Sequence, residues 1–129
     1  MENICLDTDF IVDFLRNKEE ALSFFNLHQN DLLATTPINL FELYYGALRS
    51  HLKEQNLLIL EQLEEKLFLL PLTRESALAS ARISLHLEQQ GNTLEFKDLL
   101  IGVTALTHNF SLKTRNTKHF NKIPHLKMA

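Results

Sequence analysis

With 129 residues, 45% apolar and 22% charged, the chain has the balance of one globular domain spanning 1–129, large enough to bury roughly two-thirds of its unfolded surface. No apolar run approaches the ~18 residues of a membrane span, and Asp7, Asp9 and Asp13 interrupt the amino-terminal run that a signal peptide would need. The formal charge of −3 does not advertise a nucleic-acid binder, and the single cysteine, Cys5, excludes an internal disulfide; a cytoplasmic protein is expected.

In chain order, residues 3–7 read as a strand that stops at Asp7, with Asp9 just beyond it. Helices are predicted over 9–16 and 18–28, and Leu32-Leu33-Ala34 is a short buried strand. Thr36 is placed to cap a helix whose first position is Pro37 and which runs to about Ser50. The next helix, about 53–66, carries Leu57-Leu58-Ile59-Leu60, either core or a surface for a second protein. A strand at 67–70 ends at Pro71, and Thr73 can cap a helix over 74–90 with Leu78, Ala81 and Leu85 on one face. Gly91 suits the left-handed position that stops it. A helix over 95–108, a strand at 111–114, a turn or short helix over 116–121 and a weak strand near Leu126 complete the chain.

Strands alternating with helices predict an α/β fold, a mainly parallel sheet of four to five strands covered on both faces. Gly46 and Gly102 fall inside predicted helices, where each costs ~1 kcal/mol relative to Ala. Close packing against a neighbouring backbone is the expected reason for both.

The carboxyl ends of strands in an open α/β sheet are where ligands and catalytic groups collect, which singles out Asp7. The alternative is a helix cap. Glu42, within Asn39-Leu40-Phe41-Glu42-Leu43-Tyr44-Tyr45-Gly46, and Asp98, within Leu94-Glu95-Phe96-Lys97-Asp98-Leu99-Leu100, lack a cation three or four residues away on their helices. Carboxylates among apolar neighbours are expensive to bury unless paired or bound to a metal. The alternatives are a first-turn acid that complements a helix dipole at Asp98 and a solvated acid at Glu42. After Asp98 the chain has no acid but carries Lys113, Arg115, Lys118, Lys122 and Lys127, either a polyanion contact or a solvated basic tail.

These pieces, in this order, resemble the PIN-domain family, specifically the VapC-type toxins of bacterial toxin–antitoxin pairs. The resemblance rests on Leu6-Asp7-Thr8, on Asn39 to Ala47, on Gly91 followed by Asp98-Leu99-Leu100-Ile101, on Thr114-Arg115-Asn116-Thr117-Lys118-His119-Phe120 and on Ile123-Pro124-His125-Leu126. It implies a three-layer α/β/α sandwich in which Asp7, Glu42 and Asp98 converge around Mg²⁺ or Mn²⁺, with Asp7 and Asp98 as metal ligands, and hydrolyse RNA, either tRNA or rRNA. Asn116 stands where many relatives carry a fourth acid, and Asp9 where the usual residue is Asn. Thr8 and Thr114 would orient water around the site, Asp9 would either hold such a water or simply cap the helix, and Arg115 and Lys118 would position phosphates. The resemblance also implies a VapB-type antitoxin that inserts an Arg into the acidic site, and a homodimer or toxin–antitoxin hetero-oligomer.

Other readings stay open at this point. A strand followed by Asp7-Thr8-Asp9 also resembles haloacid-dehalogenase-type phosphatases, which need a later Lys, here Lys113, and an acidic pair that the chain lacks. A receiver domain would need an Asp at the end of its central strand. Zinc is disfavoured because the six His show no ligand-pair spacing. A catalytically silent PIN fold acting as a binding module is the remaining alternative.

Overall fold

A computed structural model describes residues 1–129. The elements are β1 (Asn3–Leu6), α1 (Thr8–Leu15), α2 (Glu19–Leu27), β2 (Leu32–Thr35), α3 (Pro37–Arg49), α4 (Lys53–Glu64), β3 (Phe68–Leu69), α5 (Arg74–Gln89), α6 (Phe96–Thr107), β4 (Ser111–Lys113) and α7 (Thr117–Phe120). All strand pairings are parallel, in the order β3-β2-β1-β4, so the first strand of the chain lies inside the sheet.

Side-chain alternation along β1 divides the core in two. Ile4 and Leu6 point to one face, where they meet Phe10, Ile11, Ala21, Leu43, Ala47, Leu60 and Leu63 from α1 to α4. Cys5 points to the other face, among Leu99, Ile101, Val103 and Ala105 of α6 and Leu112, Phe120 and Ile123. Two apolar layers on opposite faces of a parallel sheet make the α/β/α sandwich that the alternating elements predict. Cys5 is fully buried, and burial, with the nearby Asp7 charge, pushes its thiol far above the ordinary range. It is therefore inert.

Three local expectations are corrected. The strand expected over 67–70 shrinks to Phe68–Leu69, an edge pairing whose side chains are 59% and 50% exposed. The strand near Leu126 is a single parallel bridge between Leu112 and Met128, held by Leu112 N–H donating to Lys127 O and Ala129 N–H donating to Leu112 O, both at 2.8 Å. On α5, Leu78, Ala81 and Leu85 do share a face, but it is the exposed one. The inward stripe is Ser76, Ala79, Ser80, Ile83 and Leu87. Ser76 can be buried because its hydroxyl pairs with Thr107 Oγ1 at 2.7 Å, which removes most of the cost of burying it. Both stripes have helical spacing and each carries two large apolar residues, Leu78 and Leu85 outside and Ile83 and Leu87 inside.

The two helical glycines behave differently. A Cβ at Gly102 would strike the side chain of Ile123 and press on Phe120 at 3.1 Å and Leu126 at 3.2 Å. At Gly46 a Cβ would meet nothing within 4 Å, so close packing does not explain that residue. Gly102→Ala is therefore expected to cost about 1–3 kcal/mol through overpacking. Gly46→Ala should be neutral or stabilising by up to about 1 kcal/mol. Denaturant unfolding of the two variants checks this; equal effects would remove the packing explanation for Gly102.

Candidate active site

The site begins at the carboxyl end of β1. Asp7 is only 7% exposed and is the N-cap of α1, so the same carboxylate terminates a strand and starts a helix. Its Oδ1 accepts from the Thr8 backbone N–H at 2.9 Å and from Asn39 Nδ2 at 3.1 Å. Its Oδ2 accepts from Thr114 Oγ1 at 2.7 Å. Thr114 reaches Asp7 because β4 runs beside β1 with Leu6 opposite Lys113, which leaves the next residue of each strand side by side.

Asn39 is fully buried in the first turn of α3, held there by a capping box with Thr36. Its Nδ2 also lies 3.0 Å from Thr8 Oγ1, and that hydroxyl in turn donates to Glu42 Oε1 at 2.7 Å. Asp7, Asn39, Thr8 and Glu42 thus form one hydrogen-bonded web across β1, α1 and α3. Glu42 Oε2 accepts from Lys97 Nζ on α6 at 3.1 Å. Glu42 has no cation partner along its own helix, but it has one in space.

Asp98 lies in the first turn of α6, with its side chain 16% exposed and its Oδ2 3.4 Å from His119 Nδ1. Burial raises its carboxyl above the usual range, and the charges of Glu95 and Glu42 raise it further, while His119 opposes them. Asp7 is pushed up to about 6, mainly by burial; the Thr114 hydrogen bond works against this, and the Asp9 and Asp98 charges add to it. The acids therefore share one field. They do not touch: no ligand atoms of Asp7, Glu42 and Asp98 together lie within 4.8 Å of one another. The residues that do meet that spacing are Glu2, His28 and Asp31, at the opposite end of β1, where Asp31 accepts from the Glu2 backbone N–H and pairs with His28.

Asp9 lies on the far side of Thr114. Its Oδ2 accepts from the Arg115 backbone N–H at 3.1 Å, and its Oδ1 is buried without a partner. Arg115 Nε is 3.3 Å from Asp13 and 3.8 Å from Asp9, so its guanidinium is already engaged. The Asn116 backbone N–H donates to Thr114 Oγ1 at 3.0 Å, while its side chain is exposed and makes no cap bond. Lys118 is exposed. Lys113 does not face Asp7; its ammonium sits over the rings of Phe10 and Phe24, at 5.5 and 5.1 Å. A phosphatase needing a Lys beside the first Asp is therefore disfavoured. A receiver domain fits no better, because β3 is at the edge of the sheet and ends in Leu69.

Asn39, Lys97 and His119 escaped the sequence reading. Asn39 had a signal: Thr36-Pro37-Ile38-Asn39 is a capping box with the shorter Asn in place of the usual Glu or Gln. Lys97 and His119 had none, because their partners lie on other elements. Asn39→Leu should leave Asp7 and Thr8 short of a donor and cost about 1–3 kcal/mol. It should also reduce any activity that needs Glu42 in register. Unfolding and cleavage assays on the same preparation check both; an unchanged protein would mean that the web is incidental.

The family model described as PIN domain matches residues 4–126. The chain is a PIN domain. It is 33% identical over 130 residues to "Ribonuclease VapC" of Rickettsia bellii, covering 97% of this chain and 93% of that protein. It is 27% identical over 124 residues to "tRNA(fMet)-specific endonuclease VapC" of Shigella flexneri, covering 95% and 93%. Among solved structures it is similar to VapBC2 from Rickettsia felis bound to a DNA fragment from its promoter, with TM-score 0.89, 28% identity and coverage of 98% and 96%. This PIN domain is thus of the VapC type, and its enzyme class is nuclease. No helix of the PIN domain is long and apolar enough to cross a membrane.

Proposed function

We propose that this PIN domain, acting as one unit over 1–129, is the toxin of a type II toxin–antitoxin pair and hydrolyses RNA phosphodiester bonds with Mg²⁺ or Mn²⁺. The observation that carries this is the partly buried web joining Asp7 to Glu42 at the end of β1, with Asp98 within its field. All-oxygen donors select hard cations, and Mg²⁺ takes only one or two carboxylates directly while keeping several of its own waters. Asp7 and Asp98 would hold it, with Glu42 completing the set. A divalent cation there would acidify the attacking water and neutralise charge on the phosphate.

The chain's own residues do the rest. Asn39 and Thr114 keep the Asp7 carboxylate fixed, and Thr8 holds Glu42. Asp9 offers its unpartnered Oδ1 as an acceptor for a water. Lys118 is free to meet a phosphate, and Arg115 would have to share its guanidinium with Asp13. The side chain of Asn116, exposed beside Thr114, would act on the substrate side of the site. The name of the Shigella flexneri relative favours tRNA over rRNA as the substrate class.

The partner is a VapB-type antitoxin, a reading supported by the VapBC structures that the fold matches. An Arg from that partner fits the acidic site, because guanidinium and carboxylate pair bidentately. A groove of about 300 Å³ beside Glu42, lined by Val12, Leu15, Gly46, Ile59 and Leu60, suits its apolar residues. The open backbone at Gly46 belongs to this groove. In the 57–60 run, Leu60 is a core residue at the floor of this groove, whereas Leu58 and Ile59 are exposed and offer the outer surface for an antitoxin or a homodimer. Such a toxin works in the cytoplasm.

The test is cleavage of total tRNA and rRNA by the purified chain in Mg²⁺, in Mn²⁺ and in chelator, with sequencing of the new RNA ends. Cleavage only with metal is expected. RNA binding without cleavage under every condition would instead make the chain a silent binding module.

A further inference from the structure

Lys97 is the one ammonium in contact with the Asp7–Glu42 web. Its Nζ lies 3.1 Å from Glu42 Oε2 and 4.0 Å from Glu95 Oε1. It stands next to Asp98 in the first turn of α6, while Glu42 belongs to α3, so this contact bridges the two helices that carry the second and third acids. The two oxygens of Glu42 are held differently. Oε1 is fixed by Thr8 within the buried web, whereas Oε2 is occupied by a flexible side chain that is 48% exposed. An ammonium at that distance neutralises the one Glu42 oxygen that the Thr8 hydroxyl leaves unbonded.

We propose that Lys97 is a positioning residue that competes with the divalent cation for Glu42. It holds the carboxylate in place in the metal-free protein and swings away when the ion arrives. This rests on the metal-nuclease reading of the site. The physical reason is charge: an ammonium on Glu42 and a divalent ion held by Asp7 and Asp98 with Glu42 completing the set would repel, and the exposed stem of Lys97 lets it leave at little cost. The site would thereby bind metal more weakly than its carboxylates alone dictate. It would also avoid leaving Glu42 unpaired when empty.

The experiment is Mn²⁺ binding to the full chain without RNA, read by electron paramagnetic resonance of the free ion. Lys97→Gln, Lys97→Arg and Glu42→Gln are compared with wild type, and thermal unfolding confirms that each is folded. Lys97→Gln should bind Mn²⁺ roughly two- to tenfold more tightly, and Lys97→Arg, which keeps the charge, should stay near wild type. On the Glu42→Gln background, Lys97→Gln should change nothing, because the residue competed for is gone. Weaker binding by Lys97→Gln would overturn the proposal in favour of a prop that pre-organises Glu42. Unchanged binding would overturn it in favour of a rim charge. If wild type binds Mn²⁺ and cuts RNA but Lys97→Gln shows no gain, only the Lys97 role is lost. If neither protein takes up Mn²⁺ and RNA is still cut in chelator, the metal reading fails and Lys97 falls with it.

Discussion

Asp98→Asn should reduce RNA cleavage by about 10²–10³-fold or more while the protein stays folded. The amide keeps the size of the side chain but removes a charge that would hold the cation. Burial and the Glu95 and Glu42 charges already raise the Asp98 carboxyl, so the metal-free protein gains nothing from keeping it ionised. Its loss should therefore leave metal-free stability unchanged or raise it, apart from the contact with His119. Metal should then matter less to the variant. An ion that binds only the folded state stabilises it by about 2.7 kcal/mol at one hundred times Kd, and Asp98→Asn should lose most of that gain. A helix-dipole acid predicts the reverse, a loss of ~0.3–1 kcal/mol with no change in the response to metal. Thermal unfolding of both proteins in chelator and in millimolar Mn²⁺ distinguishes the two, and undiminished cleavage would remove Asp98 from the mechanism.

Asp7 should make the metal-free protein pH-dependent in an unusual direction. Its folded carboxyl titrates at about 6, above the 3.8 of an unperturbed Asp, because the group is buried. Between these values the folded state holds a proton that the unfolded chain has released. The contribution of Asp7 is therefore complete below about pH 4 and is lost as pH rises through about 6. The shift corresponds to at most roughly 3 kcal/mol. Other acids contribute as well: burial raises the Asp98 carboxyl in the same direction, whereas Asp31 is lowered by its bonds to the Glu2 backbone and His28 and acts the opposite way at more acid pH. The quantity to measure is thus the stability difference between wild type and Asp7→Asn. In chelator it should move against wild type as pH rises from 4 to 7. With Mn²⁺ present that trend should weaken or invert, because a bound cation favours the carboxylate. A flat difference in chelator would mean that Asp7 titrates like an ordinary Asp.

Much of the sandwich was legible because its elements announce themselves locally. Thr36-Pro37 and Thr73 start helices where they should, Gly91 takes φ +66 just past α5, and the strand before Asp7 lies inside the sheet. What misled was burial that depends on distant partners. Leu78 and Leu85 on α5 share an apolar face, yet it is Ser76 that is buried, because a hydroxyl on α6 satisfies it. Gly46 and Gly102 look alike in sequence, and only the approach of Ile123 to one of them tells them apart. Within the site, Asp7 was marked by its place at the end of a strand. Glu42 and Asp98 were marked by the lack of a helical cation, a criterion that says nothing about Lys97 or His119. Arg115 stood out only as a basic residue of the tail, and its ion pairs with Asp9 and Asp13 depend on a helix about a hundred residues earlier that the sequence does not place beside it.

The hydrogen bond from Thr114 to Asp7 spans 107 residues, and β1 must await β4 before its second neighbour exists. Contacts this distant in sequence form late, because the loop must close before they reward it. During synthesis, which proceeds from the amino terminus, Asp7 is made 107 residues before the Thr114 that fixes it. A growing polypeptide of this design therefore carries its first-strand carboxylate without that anchor until β4 has been translated and can pair with β1.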